Sequence, residues 1–199
     1  MEHRRRSFHR DWGESCAFVF VLALYVGIPN RYTVGGPGVT LVLGILLAMA
    51  CVLSIVLTIS GTRRGARIAM ISVAAVLTLI LFGSLSNIVY RVIFHASKID
   101  GVKLLGSAFV IWISNVVLFG VFYRWIGQED FIFPEKAGIA ARPLVFLDYL
   151  FLSFTTATAF SPTDTPPVTT RARMLMMLES AISLTTIAIA AARAVNILG

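Results

Sequence analysis

The sequence predicts an all-α membrane protein with five transmembrane helices, plus a re-entrant pore helix and loop before the last helix. Three observations predict it. Of 199 residues, 57% are hydrophobic and 14% charged, where a soluble domain is nearer half apolar and a quarter charged. Five apolar runs reach or approach the ~20 residues needed to cross a bilayer. A sixth run, Leu144 to Phe154, has only eleven residues. That is too few to cross, but enough for a helix that enters the membrane and stops.

The elements follow in order. A basic start leads into Trp12 to Ile28, stopped by Pro29. No small-residue cleavage site follows, so this run reads as a retained signal anchor. Val39 to Ser60 is the second crossing, closed by the basic turn GTRRGAR. Ile68 to Phe94 and Leu104 to Ile126 are the third and fourth. The linker GQEDFIFPEKAGIAARP sets Phe131, Ile132 and Phe133 between charges, as in a segment lying at the membrane interface. Asp148 opens the short apolar piece, where a carboxylate meets the positive end of a helix. Met174 to Leu198 is the last crossing. The chain divides into a four-helix region (1–126), whose fourth helix is the outer pore helix, an interfacial linker (127–143), and a pore helix, filter-like loop and inner helix (144–199).

Net charge is +7, with the basic residues in short clusters between apolar runs rather than in one patch. That pattern fits loops facing lipid headgroups and argues against nucleic acid. Placing the N-terminus in the cytoplasm puts twelve Lys and Arg inside and four outside, with Arg193 within the last helix. The positive-inside rule favours that arrangement; a bacterial plasma membrane is the expected location, on the second resemblance given below. Cys16 and Cys51 sit in apolar runs without a CxxC or Cys/His spacing, and His3, His9 and His95 form no ligand cluster. No metal or other cofactor is implied. No HExxH or nucleophile–base pair points to an enzyme.

The short apolar piece runs into TTATAFSPTDTPPVT, Thr155 to Thr169, with three prolines, one aspartate and six threonines. Its segment ATAFSPTDTPPVT resembles the filter run of two-helix potassium channels, ATTVGYGDLYPVT. The two align without gaps, and Ala157, Thr158, Asp164, Pro167, Val168 and Thr169 are identical. The resemblance covers about a quarter of the chain and implies the helix–pore helix–filter–helix plan of pore-loop channels. It departs where selectivity is made: Ala159, Phe160, Ser161, Pro162 and Thr163 replace TVGYG. The family's glycines take left-handed backbone angles that a Cβ disfavours by ~1–2 kcal/mol, and Pro162 fixes its own φ. Potassium selectivity is therefore not expected. A second resemblance, to small bacterial membrane proteins carrying an ATAFSPTDT motif, implies a recurrent fold and no particular chemistry.

These readings assign an ion pathway to Thr158, Ala159, Phe160, Ser161, Pro162, Thr163 and Asp164. In a tetramer, Asp164 forms a carboxylate ring that favours cations. The competing reading makes Ser161 to Asp164 a simple polar turn. Glu179, Ser183, Thr186 and Ala190 share one helical face and are the expected inner-helix lining; the alternative is a Glu179 that snorkels to the interface. Ser84, Asn87 and Arg91 share one face of the third helix, and the fourth carries Ser107, Ser114 and Asn115; hydrogen bonding between the two helices is the expected reading, and a second ion pathway the alternative. With the N-terminus inside, the filter opens to the cytoplasm, an inverted pore, unless the first segment does not span. The expected partners are the lipid bilayer, inorganic cations and further copies of the chain. The expected function is an oligomeric cation channel. The alternative is a non-conducting binding or assembly subunit that retains the pore-loop fold.

Overall fold

The computed structural model describes residues 63–94, 101–133, 144–158 and 165–198, with scattered residues of 16–24 and 44–56. Four helices have defined bounds: α1, Arg63–Phe94; α2, Gly101–Ile126; α3, Phe146–Ala157; and α4, Thr170–Leu198. A short 3-10 turn, Gln128–Asp130, follows α2. The described residues of the first two apolar runs are helical as well. Most of Trp12 to Ile28 and Val39 to Ser60 lies outside the described residues, and with it the first two expected crossings. The described fold is all-helical. Three helices are long and apolar enough to cross a membrane: Ile68–Phe94, Gly101–Ile126 and Thr170–Val195.

α2 is the centre of the bundle. Every residue from Ser114 to Val121 is buried. A helix buried on all sides must be surrounded, and α1, α3 and α4 all pack on it. α1 contributes Met70, Val73, Ala74, Leu77, Leu81, Leu85 and Ile88, a stripe at helical spacing. Against it lie Leu104, Ile111, Leu118 and Val121 of α2. α4 buries only a narrow seam: Ala172, Met176, Glu179, Ser183 and Thr186. Its other faces, with Met174, Met177 and Leu184, are exposed.

α3 runs antiparallel to α2. Leu150 lies against Gly120, the Ser153 hydroxyl reaches the Val116 carbonyl, and Phe154 stacks edge-on to Trp112. At 1.5 Å per residue its twelve residues span about 18 Å, roughly half of α2. It therefore begins near the C-terminal end of α2 and stops near the middle of it.

The helix ends differ from the sequence boundaries for local reasons. Expected from Leu144 to Phe154, α3 starts at Phe146, where the Val145 amide donates to Asp148 Oδ2 at 2.8 Å. It continues to Ala157 because Thr155 and Thr156 return their hydroxyls to the Leu152 carbonyl, at 2.9 and 2.8 Å. That back-bonding offsets the poor helix preference of threonine. α4 starts four residues before Met174 because Thr169 caps it: its Oγ1 accepts the Ala172 amide at 3.3 Å. Pro166 and Pro167 precede the cap.

The polar residues of α1 and α2 bond partly within their own helices. Asn87 accepts from Arg91 within α1, and Ser107 donates to the Lys103 carbonyl within α2. The Ser84 and Ser114 hydroxyls have no hydrogen-bond partner among the described residues. Asn115 bonds α4.

Candidate functional site

Two polar assemblies frame the threonine-rich loop. The first lies in the middle of the bundle, where α2, α3 and α4 meet. Glu179 on α4 is 0% exposed. Its carboxyl accepts the Tyr123 hydroxyl from α2 and the Ser153 hydroxyl from α3. Ser153 also lies 2.7 Å from the Val116 carbonyl. The Asn115 amide donates to Ser183 Oγ at 2.9 Å and reaches the Glu179 backbone carbonyl at 3.4 Å. Thr186 is buried too, its hydroxyl returned to the Ile182 carbonyl at 2.7 Å. Among the described residues, no Lys, Arg or His forms an ion pair with Glu179.

The second assembly is a clasp at the C-terminal end of α2. Gly127 ends that helix at φ +109°, a left-handed angle that suits glycine. The chain then turns Asp130 inward, 0% exposed. Arg171, at the start of α4, grips it with both arms: Nε to Oδ1 and Nη2 to Oδ2, each at 2.7 Å. The Nε contact is a hydrogen bond and the Nη2 contact an ion pair, so the guanidinium lies along both carboxylate oxygens. The Thr169 hydroxyl donates to the same carboxylate. Two backbone bonds complete the clasp, Val168 amide to Asp130 carbonyl at 2.8 Å and Ile132 amide to Pro166 carbonyl at 3.1 Å. They flank an antiparallel bridge between Phe131 and Pro167. Phe131 packs edge-on to Tyr123, and Phe133 to Tyr149, so the clasp continues into the apolar cluster around α3.

The Asp130 carboxyl is held below its ordinary value of 3.8, chiefly by the Arg171 hydrogen bond, with burial opposing. A depressed folded value means the carboxylate stabilises the fold fully above about pH 4 and less as pH falls through the folded value. Arg171 is 59% exposed, so screening keeps the contribution small. Asp130→Asn is expected to lower stability by about 1 kcal/mol at neutral pH. The gap to wild type should close in acid below pH 4, read as melting temperature in detergent across pH. A gap that stays constant down to pH 2 would contradict the pairing.

No protein-family model, curated protein or solved structure matches this chain. Its chemistry is read from its own residues.

Of the expected ion pathway, Thr158 closes α3, its hydroxyl 2.8 Å from the Phe154 carbonyl. Ala159, Phe160, Ser161, Pro162, Thr163 and Asp164 lie outside the described residues. Of the expected inner-helix lining, Glu179, Ser183 and Thr186 are 0%, 0% and 2% exposed and point into the subunit, while Ala190 is half-buried. Glu179 does not snorkel; its partners hold it inside. Sequence reasoning does not single out Tyr123, Ser153, Asp130 or Arg171, and it marks Thr169 only as a match to the channel motif. Asn115 and Tyr123, eight residues apart, share a helical face, the periodic signal on α2 that accompanies the Glu179, Ser183 and Thr186 face of α4. Nothing in the sequence links Asp130 to a partner 41 positions away.

An apolar groove of about 400 Å³ between α1 and α4, bordered by Val89, Val92, Leu184 and Ala188, stands apart from both assemblies.

Proposed function

We propose that the chain is one subunit of an oligomeric cation pore, a tetramer on the pore-loop plan, whose altered filter, Ala159 to Thr163, is not potassium-selective. One observation carries the reading. α3 starts at the clasp end of α2 and stops near its middle, beside Trp112. The chain is next fixed at Thr165 to Thr169, back at the clasp end, through Asp130 and Phe131. The seven peptide steps from Thr158 to Thr165 reach at most about 25 Å, against the ~18 Å length of α3. A chain that enters and leaves a bilayer from one side is the re-entrant plan of a pore loop.

The physics of the bilayer supports the same reading. Each unpaired peptide group in hydrocarbon costs several kcal/mol, so non-helical backbone at that depth borders either protein or water. A shared aqueous axis supplies the water. The C-terminal end of α3 carries partial negative charge toward that axis. Asp164, repeated around it, concentrates cations.

The test is flux through the purified protein in vesicles. Cation flux is expected, and Asp164→Asn should cut it by about tenfold or change its ion preference. Vesicles that stay tight to potassium, sodium and ammonium under imposed gradients would overturn the proposal.

A second reading is a non-conducting subunit with the same architecture. The observation favouring it is that Glu179, Ser183 and Thr186 bond within the subunit, leaving α4 an outward face of Met174, Met177 and Leu184. Tight vesicles together with a stable oligomer would select it.

A further inference from the structure

We propose that the Glu179 carboxyl is a proton-binding site, and that its proton switches the Ser153 hydrogen bond between α4 and α2. The argument is a count of hydrogens. Ser153 Oγ lies within bonding reach of two acceptors, the Val116 carbonyl at 2.7 Å and Glu179 Oε1. A serine hydroxyl has one proton to give.

With Glu179 ionised, Ser153 donates to the carboxylate and ties α3 to α4. The Val116 carbonyl keeps only its bond within α2. With a proton on Oε1, the carboxyl becomes the donor and Ser153 Oγ the acceptor. The serine proton then rotates to the Val116 carbonyl and ties α3 to α2. Tyr123 donates to Oε2 in both arrangements. The two differ by one bound proton and one hydroxyl rotation, with every heavy atom in place.

The surroundings suit a proton. From α2 the carboxyl is faced by Tyr123, and Asn115 is engaged by Ser183 and the Glu179 backbone. From α3 it is faced by Ser153, while Thr156 one turn on bonds its own helix. Within α4 the nearest described charges are Arg173 and Arg171, six and eight residues away, about 9 and 12 Å along the axis. Arg171 is committed to Asp130. Both hydroxyls sit against the carboxyl oxygens at hydrogen-bonding distance, and among the described residues no group of three His, Cys, Asp or Glu gathers there as metal ligands. The proposal does not depend on conduction, because the site lies within one subunit.

Infrared difference spectroscopy of the protein in lipid vesicles, titrated with pH, tests it. Wild type should show a carboxylic-acid C=O band that titrates and is missing in Glu179→Gln. Ser153→Ala should move the midpoint of that band by about one pH unit or more, the value of a hydrogen bond to a charged group. Thr186→Ala, whose hydroxyl serves its own helix, should leave it in place. Should Glu179→Gln fail to fold, the Ser153→Ala shift decides alone. A Glu179→Gln spectrum identical to wild type would overturn the proposal. So would an unmoved midpoint in Ser153→Ala, or a midpoint that shifts with sodium concentration.

Discussion

Glu179→Ala is expected to destabilise the chain by about 2–4 kcal/mol in lipid or detergent, the sum of lost hydrogen bonds and a cavity. The carboxyl is the point where three helices are joined: Tyr123 reaches it from α2 and Ser153 from α3. Alanine leaves the buried Tyr123 hydroxyl without its acceptor and opens a void on the α4 seam. In membranes a hydrogen bond between helices averages only about 0.6 kcal/mol, with a maximum near 1.7, because the dissociated helices find other partners. Two such bonds give about 1–3 kcal/mol, and the unfilled volume adds the rest. Glu179→Gln keeps the volume and one acceptor oxygen, so it should cost about 1 kcal/mol. The comparison is made by unfolding the reconstituted protein in mixed micelles. Equal stability for the two variants would show that the carboxyl only fills space.

The second large effect is at Gly120. A Cβ at that position would lie 3.2 Å from the Leu150 Cα of α3, with backbone rather than a flexible side chain in the way. The small residue lets the two helices approach closely, as small residues do at membrane interfaces. Gly120→Leu forces α3 away from α2, and overpacking of this kind costs about 1–3 kcal/mol or more. The Ser153 contact to the Val116 carbonyl, one turn further along, opens with it. At Gly106, in the same helix, a Cβ would meet nothing within 4 Å among the described residues. Gly106→Ala should therefore gain about 0.5–1 kcal/mol from helix propensity alone. Thermal unfolding of the two variants separates the effects. If Gly120→Leu is as stable as Gly106→Ala, the close α2–α3 packing is wrong.

The two results bear on different parts of the molecule. Gly120 sets how closely the short helix lies on α2, and Glu179 sets what holds it there. Loss of both would free the threonine-bearing end of α3 from its position. The clasp at Asp130 and Arg171 fastens the other end of the loop, and Phe131 packs on Tyr123, the partner of Glu179, so the Asp130→Asn and Glu179→Gln effects are expected to couple through that contact.

What the sequence by itself determined is the set of apolar segments. Among the described residues, three helices long and apolar enough to cross a membrane, and a fourth too short to do so, follow from run length and composition. The face of α4 that carries Glu179, Ser183 and Thr186 follows from helical spacing. Only the tertiary structure decided where that face points. Spacing gives an angle around an axis and says nothing of the neighbour met there; Asn115, Tyr123 and Ser153 come from two other helices, between 26 and 68 positions from their partners. The clasp is the same case. Asp130 looks like one acid among the linker charges until the fold brings Thr169 and Arg171 onto it, because a pairing between distant residues leaves no periodic mark on the chain.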